Sequence, residues 1–146
     1  MIRVKTVIEK LRIDCTPEPL RVVGGSGDLA GITDVLKFSN TAFVIPKSDR
    51  AAPSDSAVSI RQRTQRVFSV ILGFTKQRVR TSESDLDNIE DSSEAVKAAL
   101  IGWTPEGENS PVSFVGAGIA RADYDQGFVL WACDFACPYY VRAIAE

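Results

Sequence analysis

The chain has 146 residues, 45% of them apolar and 25% charged, and a net charge of −2. That length suits one domain able to bury roughly 70% of its unfolded surface, so a core forms without disulfide or metal staples. The charge balance excludes a bulk electrostatic footprint for nucleic acid, and the complete lack of histidine removes the commonest general base and the commonest zinc ligand.

Ile2, Val4, Val7, Ile8 and Leu11 recur at helical spacing, with Arg3, Lys5, Glu9 and Lys10 on the outer side, so residues 2–12 are expected to form an amphipathic helix. The same segment lacks the apolar core and small-residue cleavage site of a signal peptide. No later run approaches the ~20 apolar residues of a membrane span, and a cytoplasmic protein is the default expectation. "CTPEP" breaks the helix, because Pro17 and Pro19 have no amide donor and hold the chain extended. Leu20 to Val23 read as a short strand. Beyond the glycines, Leu29, Ile32 and Leu36 predict a short helix that Ser26 or Asp28 would cap.

"TAFVIP", residues 41–46, reads as a strand ending at Pro46. "KSDRAAPSDSA", residues 47–57, is polar, small and proline-containing, and is expected to be a long mobile loop. The longest strand signal covers 58–76. Its apolar part, Val67 to Leu72, fills both parities, which predicts a central strand covered on both faces. The early part carries Arg61, Arg63 and Arg66 and should project beyond the core.

Residues 83–101 predict the second major helix. Leu86, Ile89, Ser93, Val96 and Leu100 share one stripe. Asp85, Asp87, Glu90, Asp91 and Glu94 load the early turns and Lys97 comes late, an order that suits the helix dipole and reads first as a solvated face. Gly102 stops the helix and "EGENSP" turns the chain. "VSFVGAGIARA" and "GFVLWACDFACPYYVRA" then read as two strands joined through "DYDQG". On the last strand Val129, Trp131, Cys133 and Phe135 form one face, and Phe128, Leu130, Ala132 and Asp134 the other. The mixed order with hairpins predicts a single α+β domain over 1–146: a mostly antiparallel mixed sheet of about five strands packed against two main helices.

Chemistry-bearing patterns are sparse. Gly25, Gly27 and Ala30 fit the G-x-G-x-x-G/A fingerprint of dinucleotide-binding proteins, with Asp49 a candidate ribose acid. The motif needs a full crossover helix, a parallel strand ending at the acid and a second mononucleotide half, whereas Asp49 falls in the predicted loop and a long strand follows. No Lys-Ser/Thr pair follows the glycines as in a Walker loop. No Gly-x-Ser-x-Gly elbow occurs, and without histidine a triad has no normal base. Asp123 and Asp125 flank Tyr124 in a predicted turn, where aspartates are favoured structurally. Cys15, Cys133 and Cys137 are an odd, sparse set, read as buried reduced thiols. Nothing here asks for a cofactor or a metal. The basic residues Arg61, Arg63 and Arg66, then Lys76, Arg78 and Arg80, bracket the central strand, with Arg61 and Arg63 on one face and Arg66 on the other. They suit a solvated strand end, or an acidic partner that arginine grips by forked contacts.

Taken in order, "MIRVKTVIEKL", "VVGGSGDLAGITD" followed by "TAFVIP", "RTQRVFSVILGF", "AVKAALIGWTP" and "VSFVGAGIARADYDQGFVLWACDFACPYYV" give the chain a layout that resembles the tail terminator proteins of long-tailed bacteriophages, including the small tail proteins of Mu-like and lambda-like phages. "ALIGWTP" is the most particular segment, and the resemblance covers nearly the whole chain. It implies a non-enzymatic virion protein without cofactor. Such a protein assembles in the host bacterial cytoplasm as a ring, typically of six copies, on the head-proximal end of the tail tube. The ring halts tube growth and docks the filled head. The implied partners are therefore other copies of itself, the tail tube protein and the head–tail connector, with no membrane and no sequence-specific nucleic acid. A head–tail joining or tail-completion protein and a small cytoplasmic nucleotide-binding domain are the alternatives.

A closed ring needs one patch to meet a different patch on the next subunit. The candidate contact residues are Lys47, Asp49, Arg50, Arg61, Arg63 and Arg66 on the basic side, and Asp87, Glu90, Asp91 and Glu94 on the acidic helix. Some of these charges are expected to pair between neighbours, and loop 47–57 with Arg61 and Arg63 to fold down on the tube. Phe128, Tyr139 and Tyr140 are further candidates, though core packing accounts for them equally well.

Overall fold

A computed structural model of the chain describes residues 1–25, 27, 40–54, 60–75, 82–123 and 127–142, without the side chains of 75, 82–88 and 123. In chain order the elements are α1 (Val4–Cys15), β1 (Val22–Gly25), β2 (Thr41–Ala51), β3 (Arg61–Thr75), α2 (Ser82–Leu100), β4 (Ser113–Asp123) and β5 (Phe128–Arg142). The strands form one sheet in the order β1-β2-β3-β5-β4. β1 runs parallel to β2, and every other neighbouring pair is antiparallel. The expected α+β class and mixed sheet are what the chain adopts. The short helix expected around Leu29, Ile32 and Leu36, with its Ser26 or Asp28 cap, lies outside the described residues. So do loop residues 55–57, Lys76, Arg78 and Arg80, and the "DYDQG" hairpin tip from Tyr124 to Gln126.

Both helices pack on one face of the sheet. α1 buries Val7, Leu11 and Cys15, and α2 buries Val96 and Leu100. They meet Val23, Ala42, Val44, Phe68, Val70, Leu72, Cys133, Phe135 and Cys137 from the strands. The alternation along β3 and β5 makes this possible, since every second side chain reaches the same face. Polar ties fix the helix layer. The Arg12 guanidinium donates to the Val23 carbonyl at 2.8 Å, binding α1 to β1, and the Cys15 thiol donates to the Ala95 carbonyl at 3.7 Å, binding α1 to α2. α1 ends where the sequence says it must: Thr16 is already extended at its C-cap, and Pro17 and Pro19 follow, both after cis peptide bonds.

On the opposite face a second apolar cluster gathers Phe43, Ile71, Phe128 and Leu130, with Ile45 and Ala132 beside it. β3 is thus buried on both sides through its middle, as the filled parities of Val67 to Leu72 predict, with Ser69 the one polar residue in that stretch. Gly102 closes α2 with φ of +81°, a left-handed conformation that costs a residue with a Cβ roughly 1–2 kcal/mol. Its amide donates to the Val112 carbonyl at 2.9 Å, which turns the chain from α2 toward β4.

Residues 47–51, read as the start of a loop, are the second half of strand β2, which pairs with β3 as far as Ala51↔Thr64. Pro46 has no amide to give the ladder, and the register shifts between Pro46 and Ser48. The bulge lets pairing resume beyond the proline. Residues just beyond the strand fold back on β3: the Ala52 amide donates to the Arg63 carbonyl, and Gln62 Nε2 donates to the Ala52 carbonyl at 3.0 Å.

Candidate interaction surface

The far ends of β2, β3 and β5 form a three-stranded ribbon whose outer residues, such as Arg50, Arg63, Tyr140 and Arg142, are exposed. Register decides which side chains meet there. Arg61 lies opposite Arg142, Arg63 opposite Tyr140 and Gln65 opposite Pro138 on β5, while Arg50 lies opposite Gln65 on β2. Directly opposed residues share a face, so Arg50, Arg61, Arg63 and Arg142 all project from the side away from the helices, with Tyr140 among them. The Arg61 guanidinium stacks on the Tyr140 ring at 4.2 Å.

Between this basic patch and the second apolar cluster sits a charged link. Lys47 Nζ is 2.5 Å from Asp134 Oδ2, and the Ser69 hydroxyl donates to Asp134 Oδ1 at 2.5 Å. The bulge at Lys47 frees its side chain to reach across β3 toward β5. Asp134 is therefore satisfied inside the subunit.

The helix-side surface of the ribbon differs. Arg66 Nη1 pairs with Asp49 Oδ2 at 3.1 Å, and the Tyr139 hydroxyl donates to Asp49 Oδ1 at 3.2 Å. Burial, then the Asp49 charge and its hydrogen bond, push the Tyr139 phenol up from its ordinary value, while Arg66 opposes them. Asp49 and Arg66 thus hold each other within the chain, and the basic candidates left open are Arg50, Arg61 and Arg63.

On α2, Glu90, Asp91 and Glu94 are exposed, as expected for a solvated face. Glu94 Oε1 takes Lys97 at 3.3 Å on its own helix. The Asp87 side chain lies outside the described residues. Asp91 also lines an open cleft of about 640 Å³ with Pro17, Glu18, Pro19, Arg21 and Asn40. No group of three or more histidine, cysteine, aspartate or glutamate side chains that could hold a metal ion occurs among the described residues.

The glycine fingerprint has a structural account. A Cβ on Gly25 would stand 3.7 Å from Ile8 Cδ1 of α1, so a helix side chain packs where a dinucleotide would need bare backbone. β1 and β2 are indeed parallel, but Gly25 pairs with Val44. Asp49 lies five residues further along β2, roughly 16 Å away at strand rise, and is bound to Arg66 and Tyr139. β3 then returns antiparallel, which leaves no switch point between parallel strands.

The three cysteines are free and buried. Burial is the main cause pushing each thiol up, and for Cys137 the charge of Glu108 adds to it, giving about 11 against an ordinary 9.0. A thiol whose folded pKa is raised contributes stability that is complete below the unfolded pKa and is lost as pH rises through the folded one. The urea midpoint should therefore fall between about pH 9 and 11, and less steeply in a Cys137→Ala variant. Ellman's reagent at pH 8 should report no thiol before denaturation and three after it. Reaction of the native protein would contradict the burial.

Two residues of this surface, Arg142 and Asp134, were not among the sequence candidates for contact. Their shared even parity on the last strand was visible, but their neighbours were set by register.

The described surface thus carries clustered arginines on one sheet face and an acidic helix on the other side of the sheet. The family profile described as phage tail terminator protein matches residues 1–145. The chain belongs to that family, which makes it a structural protein of a phage tail and a virion component. Among solved structures, a chain from the virion of a native gene transfer agent particle is similar in fold, with a TM-score of 0.53 and 18% identity over 96% of this chain and 94% of that one. No curated protein matches the sequence.

Proposed function

We propose that this chain forms a ring, six copies in the form the family resemblance implies, on the head-proximal end of the tail tube. There it stops tube polymerisation and presents the surface to which the filled head docks. The observation that carries this reading is the family match over residues 1–145. A fold shared with a component of a phage-like particle supports it. The partners follow: further copies of the chain, the tube protein below and the head–tail connector above, brought together in the host cytoplasm.

The test is removal of the gene from its phage, with tails imaged by negative-stain microscopy. Tubes of uncontrolled length without heads are expected, and plasmid-supplied wild-type chain should restore uniform length. Tails of normal length that lack heads would assign the chain to head–tail joining instead. Normal, headed tails would overturn the proposal.

A further inference from the structure

Four arginines on one sheet face are an unusual thing for a fold to leave uncompensated. Arg61 and Arg142 are direct partners across the β3–β5 ladder, where like charges repel. Arg63 and Arg50 add to the same face. Arg61 Nε is buried without a hydrogen-bond partner. No carboxylate among the described residues pairs with Arg50, Arg63 or Arg142, and Asp134, on the same face, is already held by Lys47 and Ser69. The patch has the form of an anion receptor built in advance, with one guanidinium fixed on the Tyr140 ring at 4.2 Å.

The chain carries the complementary surface but cannot bring it there. Its net charge of −2 means that acids outnumber bases outside this face, and Glu90, Asp91 and Glu94 stand exposed on α2. Both helices pack on the other side of the sheet, so the sheet separates the two patches within one subunit. Their spacings agree. Arg61 and Arg63 are two strand residues apart, about 6.6 Å, and Glu90 and Glu94 are one helical turn apart, about 6 Å. Forked guanidinium–carboxylate contacts suit that match.

We infer that the arginine face of one subunit receives the acidic face of α2 from a second copy of this chain, as the heterologous contact that repeats around the ring. The inference rests on the ring reading and names its interface. A polyanion such as duplex DNA offers the same chemistry, but the acidic whole molecule disfavours its approach, and the second copy is the better fit.

A charge swap tests it. One variant carries Arg63→Glu with Arg142→Glu, the other Glu90→Lys with Glu94→Lys. Oligomers are counted by native mass spectrometry of the free chain and by cross-linking of chain bound to tail tubes. Each variant alone should show about a hundredfold less assembly than wild type, given the coupling energies of two close interfacial charge pairs. An equimolar mixture should recover it, because each reversed face then meets an oppositely charged neighbour. Variants that assemble like wild type, or a mixture no better than its parts, would overturn the interface. Loss of duplex DNA retention in the arginine variant, with assembly unchanged, would overturn it in favour of nucleic acid. Restoration of tail length by wild-type chain is scored separately: if it succeeds while the swap fails, only the interface is wrong, and if it fails while the swap works, the ring stands without its capping role.

Discussion

Phe135→Ala is expected to lower the unfolding free energy by about 3–5 kcal/mol and the melting temperature by roughly 10 °C. Phe135 is fully buried on β5, between its register partners Phe68 on β3 and Phe114 on β4. The Phe68 and Phe135 rings stack with centroids 5.7 Å apart, and the Phe114 ring tilts against Phe135 at 5.6 Å. One truncation therefore opens a cavity under the helices and breaks two aromatic contacts, each worth about 0.5–1.5 kcal/mol beyond burial. Against a typical domain stability of about 5–15 kcal/mol, that is a large share. Phe114→Ala should cost less, since Phe114 is 38% exposed on an edge strand. Urea unfolding of both variants checks the order. A loss below about 1 kcal/mol at Phe135 would mean the ring ladder does not hold the three strands together.

The elements with strong periodicity were legible in the sequence. The faces of β5 follow the parity read from Phe128 to Asp134, and the middle of β3 is buried on both sides, as the filled parities of Val67 to Leu72 require. The prolines after Cys15 mark the end of α1. Residues 47–51 were not legible as strand because both faces of the ribbon are wet there, so no apolar alternation marks them. What makes them strand is the hydrogen-bonding edge that β3 offers. The basic side of the surface was visible as Arg61 and Arg63, but the meeting of Arg61 with Arg142 depends on which strands become neighbours. The order β1-β2-β3-β5-β4 places the last strand between β3 and β4, and no local pattern states that. The same limit hid the Asp49–Arg66–Tyr139 cluster, which pairs two candidate contact residues with each other.

Reversing Arg61 and Arg63 together to glutamate should separate folding from function. The fold loses the Arg61–Tyr140 stack, worth about 0.5–1 kcal/mol at an exposed site. In exchange, the repulsive Arg61/Arg142 pair becomes an attractive cross-strand pair, worth about 0.2–1 kcal/mol. The two changes nearly cancel, so the urea midpoint of the variant should stay close to that of wild type. Function should not survive the change. If each arginine pairs with a carboxylate of the next subunit, two contacts of at least ~1.5 kcal/mol apiece are lost at every interface. A loss of about 3 kcal/mol lowers assembly about a hundredfold, and infectious titre in a phage complemented by the variant should fall at least as far. The opposed Arg61 and Arg142 of β3 and β5 are a charge arrangement that the isolated fold does not favour. A variant that folds, keeps its midpoint and still yields wild-type titre would show that this face makes no contact in the finished particle.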